Sequence, residues 1–223
     1  MFRKLIFLLS TLLLLAVHAA PVYNVHPHRV IHLPGAPLLP EFPLYSGFLK
    51  GSSDGNSQMF YVLCEAIRVD PTTAPLVIWF QGGPGVSSLH GLFTENGPYR
   101  VTEEGNVLTF NEFSWNQYAN MLYLESPLGV GFSRNDDGNL TMEDVSTAEL
   151  NFNTIKDFLT RVHPRYVSRE FYLSGQSYAG VLVPFLARRL IIGISKGELA
   201  NANFKGFAIG NPVIEGAASV LGE

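Results

Sequence analysis

The sequence predicts an α/β fold, a mostly parallel sheet with helices on both faces. Three observations predict it. Short apolar runs of strand length alternate with segments of helical periodicity. One strand runs through a sharp Gly-Gln-Ser turn into a helix, and another ends in a glycine-rich loop. Apolar strands that alternate with helices belong to a sheet buried on both sides.

The elements follow in order. Arg3 and Lys4 precede an apolar run from Leu5 to Val17, followed by Ala19 and Ala20. This reads as a secretory signal peptide over 1–19, cut after Ala19. The run is shorter than the ~20 residues a membrane helix needs, and an uncleaved anchor is the alternative. Residues 20–44 are rich in Pro and His without periodicity, predicting an irregular arm. Its His26, His28 and His32 read as surface histidines of a mobile segment, since no carboxylate or cysteine is interleaved with them. The folded unit occupies 45–223. Strands are predicted from Phe60 to Ala66, Leu76 to Phe80, Met121 to Leu124, Phe171 to Leu173 and Phe204 to Ile209. Val145, Ala148, Phe152, Ile155, Phe158, Leu159 and Val162 recur at helical spacing and stop near Pro164. A second helix runs from Tyr178 to about Ile192.

Composition narrows the function classes. Of the 223 residues, 47% are hydrophobic and 15% charged, which excludes a disordered chain. A net charge of −4 without a Lys/Arg run gives no footing for nucleic acid. No later segment is apolar for long enough to span a membrane, so no membrane association is expected after signal cleavage. Asn139-Leu140-Thr141 fits an N-glycosylation acceptor, with Asn139 as the acceptor residue. Cys64, the single cysteine, is expected to be a buried thiol. It leaves no internal disulfide and no cysteine-based zinc site. No metal and no cofactor are expected.

The strand Phe171-Tyr172-Leu173 enters Ser174-Gly175-Gln176-Ser177-Tyr178-Ala179-Gly180, and a helix follows. This is the setting of a nucleophile elbow, in which the turn holds a serine hydroxyl exposed above the sheet edge. Neighbours two positions away must be small, as Gly175 and Ala179 are. A serine capping a helix gives much the same string. The strand Leu76–Phe80 ends in Gln81-Gly82-Gly83-Pro84-Gly85, where paired glycines let the backbone point an N–H at a developing oxyanion. A tight turn before a helix start at Ser87 is the plainer alternative. A phosphate loop fits poorly, because its lysine and its glycine spacing are lacking.

Together these segments resemble the serine carboxypeptidase family of α/β-hydrolases. Trp79 to Ser88, Thr94-Glu95-Asn96-Gly97-Pro98, Asn111 to Asn116, Glu125 to Ser133, Ser174 to Gly180 and Phe204 to Pro212 look like its blocks in order. The resemblance covers about Tyr45 to Pro212. It implies that Ser177 is the nucleophile and that the Gly83 and Tyr178 amides form the oxyanion hole. It implies further that Gln81, Gly82, Glu95 and Gln176 hold the substrate's terminal carboxylate. The substrates implied are the C-termini of peptides and proteins, met outside the cell or in a lysosomal or vacuolar lumen. Three positions depart from the family. Gln81 replaces an asparagine and is long enough to intrude on the site. Gln176 replaces a glutamate and donates without protonation, which implies activity shifted towards neutral pH. Val86 replaces a cysteine, so the disulfide usually anchored there is absent.

An α/β-hydrolase places its acid and histidine after the nucleophile. After Ser177 the sequence holds Glu198, Glu215 and Glu223 but neither aspartate nor histidine. His90 and His163 precede Ser177 and read as structural or surface residues. Three readings fit. The chain is the front part of a serine carboxypeptidase truncated after the strand that follows the nucleophile helix, or an acyltransferase or esterase of the same fold, or an inactive secreted binding protein. Ending the sheet at Phe204–Ile209 leaves an apolar open edge, so poor solubility of the chain alone is expected.

Overall fold

The computed structural model describes residues 25–36, 42–102, 104–140 and 143–214. Residues 1–19, read above as a signal peptide, and part of the arm lie outside the described residues. Nine strands form among those described: β1 (Leu44–Lys50), β2 (Ser57–Cys64), β3 (Leu76–Phe80), β4 (Tyr99–Val101), β5 (Leu108–Phe110), β6 (Asn120–Leu124), β7 (Arg134–Asn135), β8 (Glu170–Gln176) and β9 (Asn203–Gly210). The main sheet has the order β1-β2-β6-β3-β8-β9, with β7 short against β2. β6, β3, β8 and β9 are parallel neighbours, while β1, β2 and β6 pair antiparallel. β4 and β5 form a separate hairpin.

Strand alternation builds two cores from one sheet. Leu76, Ile78 and Phe80 of β3 face one side with Leu122, Leu124, Phe171 and Leu173. Trp79 of β3 faces the other with Val62, Cys64, Met121 and Tyr123. Each such side chain fully buried contributes about 1.5–3 kcal/mol, so a one-residue slip of β3 would be heavily disfavoured. Two long helices cover the first face. A one-turn helix α1 (Ser88–His90) continues into a π turn, Gly91–Glu95, on the second. The long ones are α2 (Asp144–Asp157) and α3 (Ala179–Ser195), which pack on each other. Both faces are thus helix-covered, but unequally. The second face is completed by the β4–β5 hairpin and the arm, through Leu108, Tyr99, Val30, Leu33 and Ala36.

The predicted helix up to Val162 changes character at its end, because Phe158–Val162 closes as a π turn and Pro164–Tyr166 as a 3₁₀ turn. The arm histidines require a correction. His32 is exposed, but His26 and His28 are not free surface groups. His26 Nε2 donates to the Val162 carbonyl at 2.9 Å, and its ring stacks on His163 at 4.4 Å. His28 Nδ1 meets the Tyr61 hydroxyl at 2.7 Å. Arm backbone bonds from Val30 N to Leu44 O and from Ser46 N to His28 O fix the segment beside β1. Buried hydrogen-bond partners far along the chain outweigh the local irregularity. Cys64 is a buried free thiol, and burial raises its pKa.

Register sets the site. Phe80, the last residue of β3, pairs with Gly175 near the end of β8. The loop after β3 and the turn after β8 therefore leave the sheet side by side. β3 lies between strands reached in opposite directions, and open α/β sheets bind ligands beyond the strand ends at such a point.

Candidate active site

Between β8 and α3 the backbone turns at Ser177, whose φ of 56° lies in the left-handed region. A non-glycine residue held there costs on the order of 1–3 kcal/mol and needs support from its surroundings. Here Ser177 N donates to Gly210 O at 3.1 Å, and Val213 N donates to Ser177 O at 2.8 Å. The chain leaving β9 therefore grips the turn from both sides. A side chain on Gly175 would collide with the Phe80 carbonyl and come within 2.7 Å of Ala179 Cβ. Small residues on either side of the serine are thus a packing requirement. Ser177 is half-buried, and no described residue hydrogen-bonds its hydroxyl.

The glycine loop lies against this turn. A Cβ on Gly82 would sit 2.7 Å from Ser177 Cβ and 3.1 Å from Tyr178 N. No described residue accepts from the Gly83 or Tyr178 amides. Tyr178 N is also at the start of α3, where the helix dipole favours negative charge. The Tyr178 hydroxyl donates to Asp144 Oδ1 at 3.0 Å, tying the first turn of α3 to that of α2. Burial, reinforced by this bond, raises the Tyr178 pKa. A cleft of about 210 Å³ opens beside the turn, with Gly82, Tyr178, Asp144, Ser126 and Leu182 among its walls.

Next to the Ser177 turn lies a polar cluster. Glu95 Oε1 accepts from Gln176 Nε2 at 2.7 Å and from Gln81 Nε2 at 3.1 Å. Trp79 Nε1 donates to Gln81 Oε1 at 2.8 Å, which turns the Gln81 amide so that its NH₂ faces Glu95. The longer glutamine is thus tied to Trp79 through its carbonyl, and it lines the cleft beside the turn. His90 Nε2 lies 3.5 Å from the same Glu95 oxygen. Buried Glu125 supports the loop from behind: it accepts from Ser87 Oγ at Oε1 and from Phe132 N at Oε2. Ser88 Oγ donates to Leu124 O at 2.6 Å, pinning α1 to β6.

The structure therefore brings Ser177, Gly82, Gly83, Tyr178, Gln81, Glu95 and Gln176 into one region. Asn139 stands apart on an exposed loop, and Thr141 of its acceptor motif lies outside the described residues. His163 is buried away from the turn, and no described histidine bonds Ser177. Sequence reasoning missed Trp79, His90, Asp144 and Glu125 as parts of the site. The run Glu125-Ser126-Pro127 beside a β-strand end was a usable signal for the last, since a glutamate there needs a buried partner. Among the described residues, no group of three His, Cys, Asp or Glu is arranged to hold a metal ion.

A parallel-centred sheet with a left-handed serine between strand and helix, facing a glycine loop, defines an α/β-hydrolase. A family profile described as serine carboxypeptidase matches residues 34–222. Serine carboxypeptidase ctsa-3.2 of Caenorhabditis elegans is 46% identical over 183 residues, covering 81% of this chain and 35% of that protein. The lysosomal protective protein of Mus musculus is 41% identical, covering 80% and 36%. Among solved structures, Kex1(delta)p, a prohormone-processing carboxypeptidase from Saccharomyces cerevisiae, superposes with a TM-score of 0.74 at 27% identity, covering 84% of this chain and 44% of that one. The chain belongs to the serine carboxypeptidase family. It spans about a third of the length of these curated relatives.

Proposed function

We propose that these residues form the nucleophile, oxyanion and carboxylate-binding part of a serine-type carboxypeptidase that removes C-terminal residues from peptides and proteins. Ser177 Oγ attacks the last peptide carbonyl, and the Gly83 and Tyr178 amides receive the oxyanion. The C–N bond then breaks to leave an acyl-enzyme on Ser177, which water hydrolyses. Gln81, Gly82, Glu95 and Gln176 hold the substrate's free carboxylate, so the bond presented to the serine is the terminal one. A serine hydroxyl is a weak nucleophile without a base. No described histidine reaches it, so the full reaction needs a histidine and acid beyond those described.

The observation that carries this reading is the contact between Gln176 Nε2 and Glu95 Oε1, one residue before the nucleophile. It sets a polar side-chain pair one residue before Ser177, which supports recognition of a chain end there. The experiment is release of the terminal amino acid from an N-blocked dipeptide by the complete enzyme, compared with its C-terminal amide. Cleavage of the acid form with little of the amide is expected, and Ser177→Ala should lower turnover by about 10⁴-fold or more. Equal cleavage of both forms would favour an esterase or acyltransferase, the reading that the two glutamines keep open. Fluorophosphonate labelling of Ser177 in the purified chain would exclude an inert binding protein.

A secretory route is part of the proposal. The basic start, apolar run and small residues of 1–19 support it, as does exposed Asn139, proposed as a glycosylation site. Among the described residues no helix is long and apolar enough to cross a membrane. A lysosomal relative makes an acidic lumen one destination to test, by microscopy of the tagged protein.

A further inference from the structure

β1 is the outermost strand of the main sheet, and the arm lies along its outer edge. One bridge, Arg29 with Tyr45, joins them, and the backbone bonds there run from Val30 N to Leu44 O and from Ser46 N to His28 O. So short a pairing is weak by itself, and segments held this lightly open below the energy of global unfolding. The arm is fixed instead by its histidines. His26 stacks on His163, and a side chain on Gly47 would meet the His28 ring at 2.7 Å, so the glycine makes room for it.

The bonds of these rings require neutral imidazoles. His26 Nδ1 accepts from His28 N at 3.1 Å while its Nε2 donates to Val162 O, one nitrogen acting as acceptor and the other as donor. His28 and His163 reach the Tyr61 hydroxyl from two sides. Were both rings cationic, the phenol proton would have no acceptor between them. The surroundings do not compensate such a charge. Arg165 lies over Tyr45 and Tyr166, the rings edging His163, and Arg29 also lies over Tyr45. The neighbouring carboxylates are engaged: Asp157 accepts from Arg161 and Lys50 N, and Glu65 from Arg165 and Tyr166. A proton entering the cluster is accommodated by parting the rings, and the arm is the side that is lightly held.

We propose that the arm is an acid-released latch: protonation of the histidine cluster frees residues 26–33 from β1 while the rest of the sheet stays folded. Burial first, then neighbouring histidines and arginines, depress His163 and His28 in the latched chain. The latch is therefore complete above pH ~6.5 and weakens as pH falls towards 3. Release has a defined consequence. Val30 and Leu33 form one wall of an apolar cavity of about 240 Å³, against Leu44, Phe60, Val62 and Leu92. With the arm away, that surface and the Ser46 N–H and Leu44 C=O on the edge of β1 meet water, where an unpaired edge is open to strand pairing.

Hydrogen exchange on the 223-residue chain, corrected for its intrinsic pH dependence, tests the latch. The Ser46 amide reports the arm, while Ile78 and Leu173 report the paired centre of the sheet. Between pH 7 and pH 5 the protection of Ser46 should fall about tenfold, with no matching fall at Ile78 or Leu173. His163→Leu, which removes a titrating ring from the cluster, should cut that pH dependence at Ser46. Protection at Ser46 that is constant with pH, or that falls only in step with Ile78 and Leu173, overturns the proposal. An undiminished pH dependence at Ser46 in His163→Leu overturns it as well.

Discussion

Two histidine-bearing clusters lie on this molecule, and burial makes them opposites. Beside the Ser177 turn, His90 is open to water next to Glu95 and two neutral amides. Beneath the arm, His163 is only 2% exposed and packs with His26, Tyr45, Tyr61, Phe158 and Tyr166. Tyr61 OH lies 2.7 Å from both His28 Nδ1 and His163 Nε2. Its single proton serves one ring, so the other ring must donate to the phenol oxygen. Burial first, then His26 and Arg165, push the His163 pKa down to about 3. Burial also lowers the pKa of His28 and raises that of Tyr61. A histidine on solvent can meet a ligand. A sealed one holds the chain together only while it stays neutral.

The largest expected effect breaks the sealed cluster with acid. His163 is depressed in the folded chain relative to ~6.5 in an unfolded one. Its contribution is therefore complete above pH ~6.5 and is lost as pH falls towards 3. Between pH 6 and pH 4 the loss is roughly 2–3 kcal/mol, at ~1.4 kcal/mol per unit. Urea unfolding at several pH values checks it, and His163→Leu should flatten the slope. If the slope is unchanged in that variant, the acid sensitivity lies elsewhere. Next in size is Tyr61→Phe, which removes the shared hydroxyl and leaves buried ring nitrogens unpaired. A cost of about 1–3 kcal/mol is expected by the same measurement at pH 7. Smaller is a change at the open cluster. In Gln176→Glu, two carboxylates meet where an amide now donates to Glu95, and they must share a proton. Affinity for a free-carboxylate peptide should drop about tenfold from pH 5 to pH 7.5, against a shallower dependence in the unaltered chain.

The two clusters were unequally legible in the sequence. The elbow was readable because it is local: Gly175, Ser177 and Ala179 are consecutive constraints of one turn, flanked by strand and helix patterns. Leu76–Phe80 was read with its observed bounds, since all five residues are apolar. Phe171–Leu173 was read too short, because Glu170 and the polar residues up to Gln176 are extended only through pairing with β3 and β9. The β4–β5 hairpin escaped because three-residue strands carry no periodicity. Glu95 and Gln81 were reachable only through family resemblance. His90 was not reachable, since nothing in Ser-Leu-His-Gly-Leu-Phe-Thr-Glu announces five-residue spacing. The sealed cluster was invisible for a related reason. His26 finds its partners only after the chain has returned with Val162 and His163.

The hydrogen bonds from Ser177 N to Gly210 O and from Val213 N to Ser177 O have a consequence for biosynthesis. A growing polypeptide emerges from its amino end, at about 5–20 residues per second. Ser177 is therefore made before the carbonyl and amide that hold its left-handed backbone. Until residues 210–213 emerge and β9 docks on β8, the turn is free to relax and the hydroxyl has no fixed aim. The left-handed backbone at Ser177 is thus completed only by chain made after it, so the turn is a late-forming part of the fold.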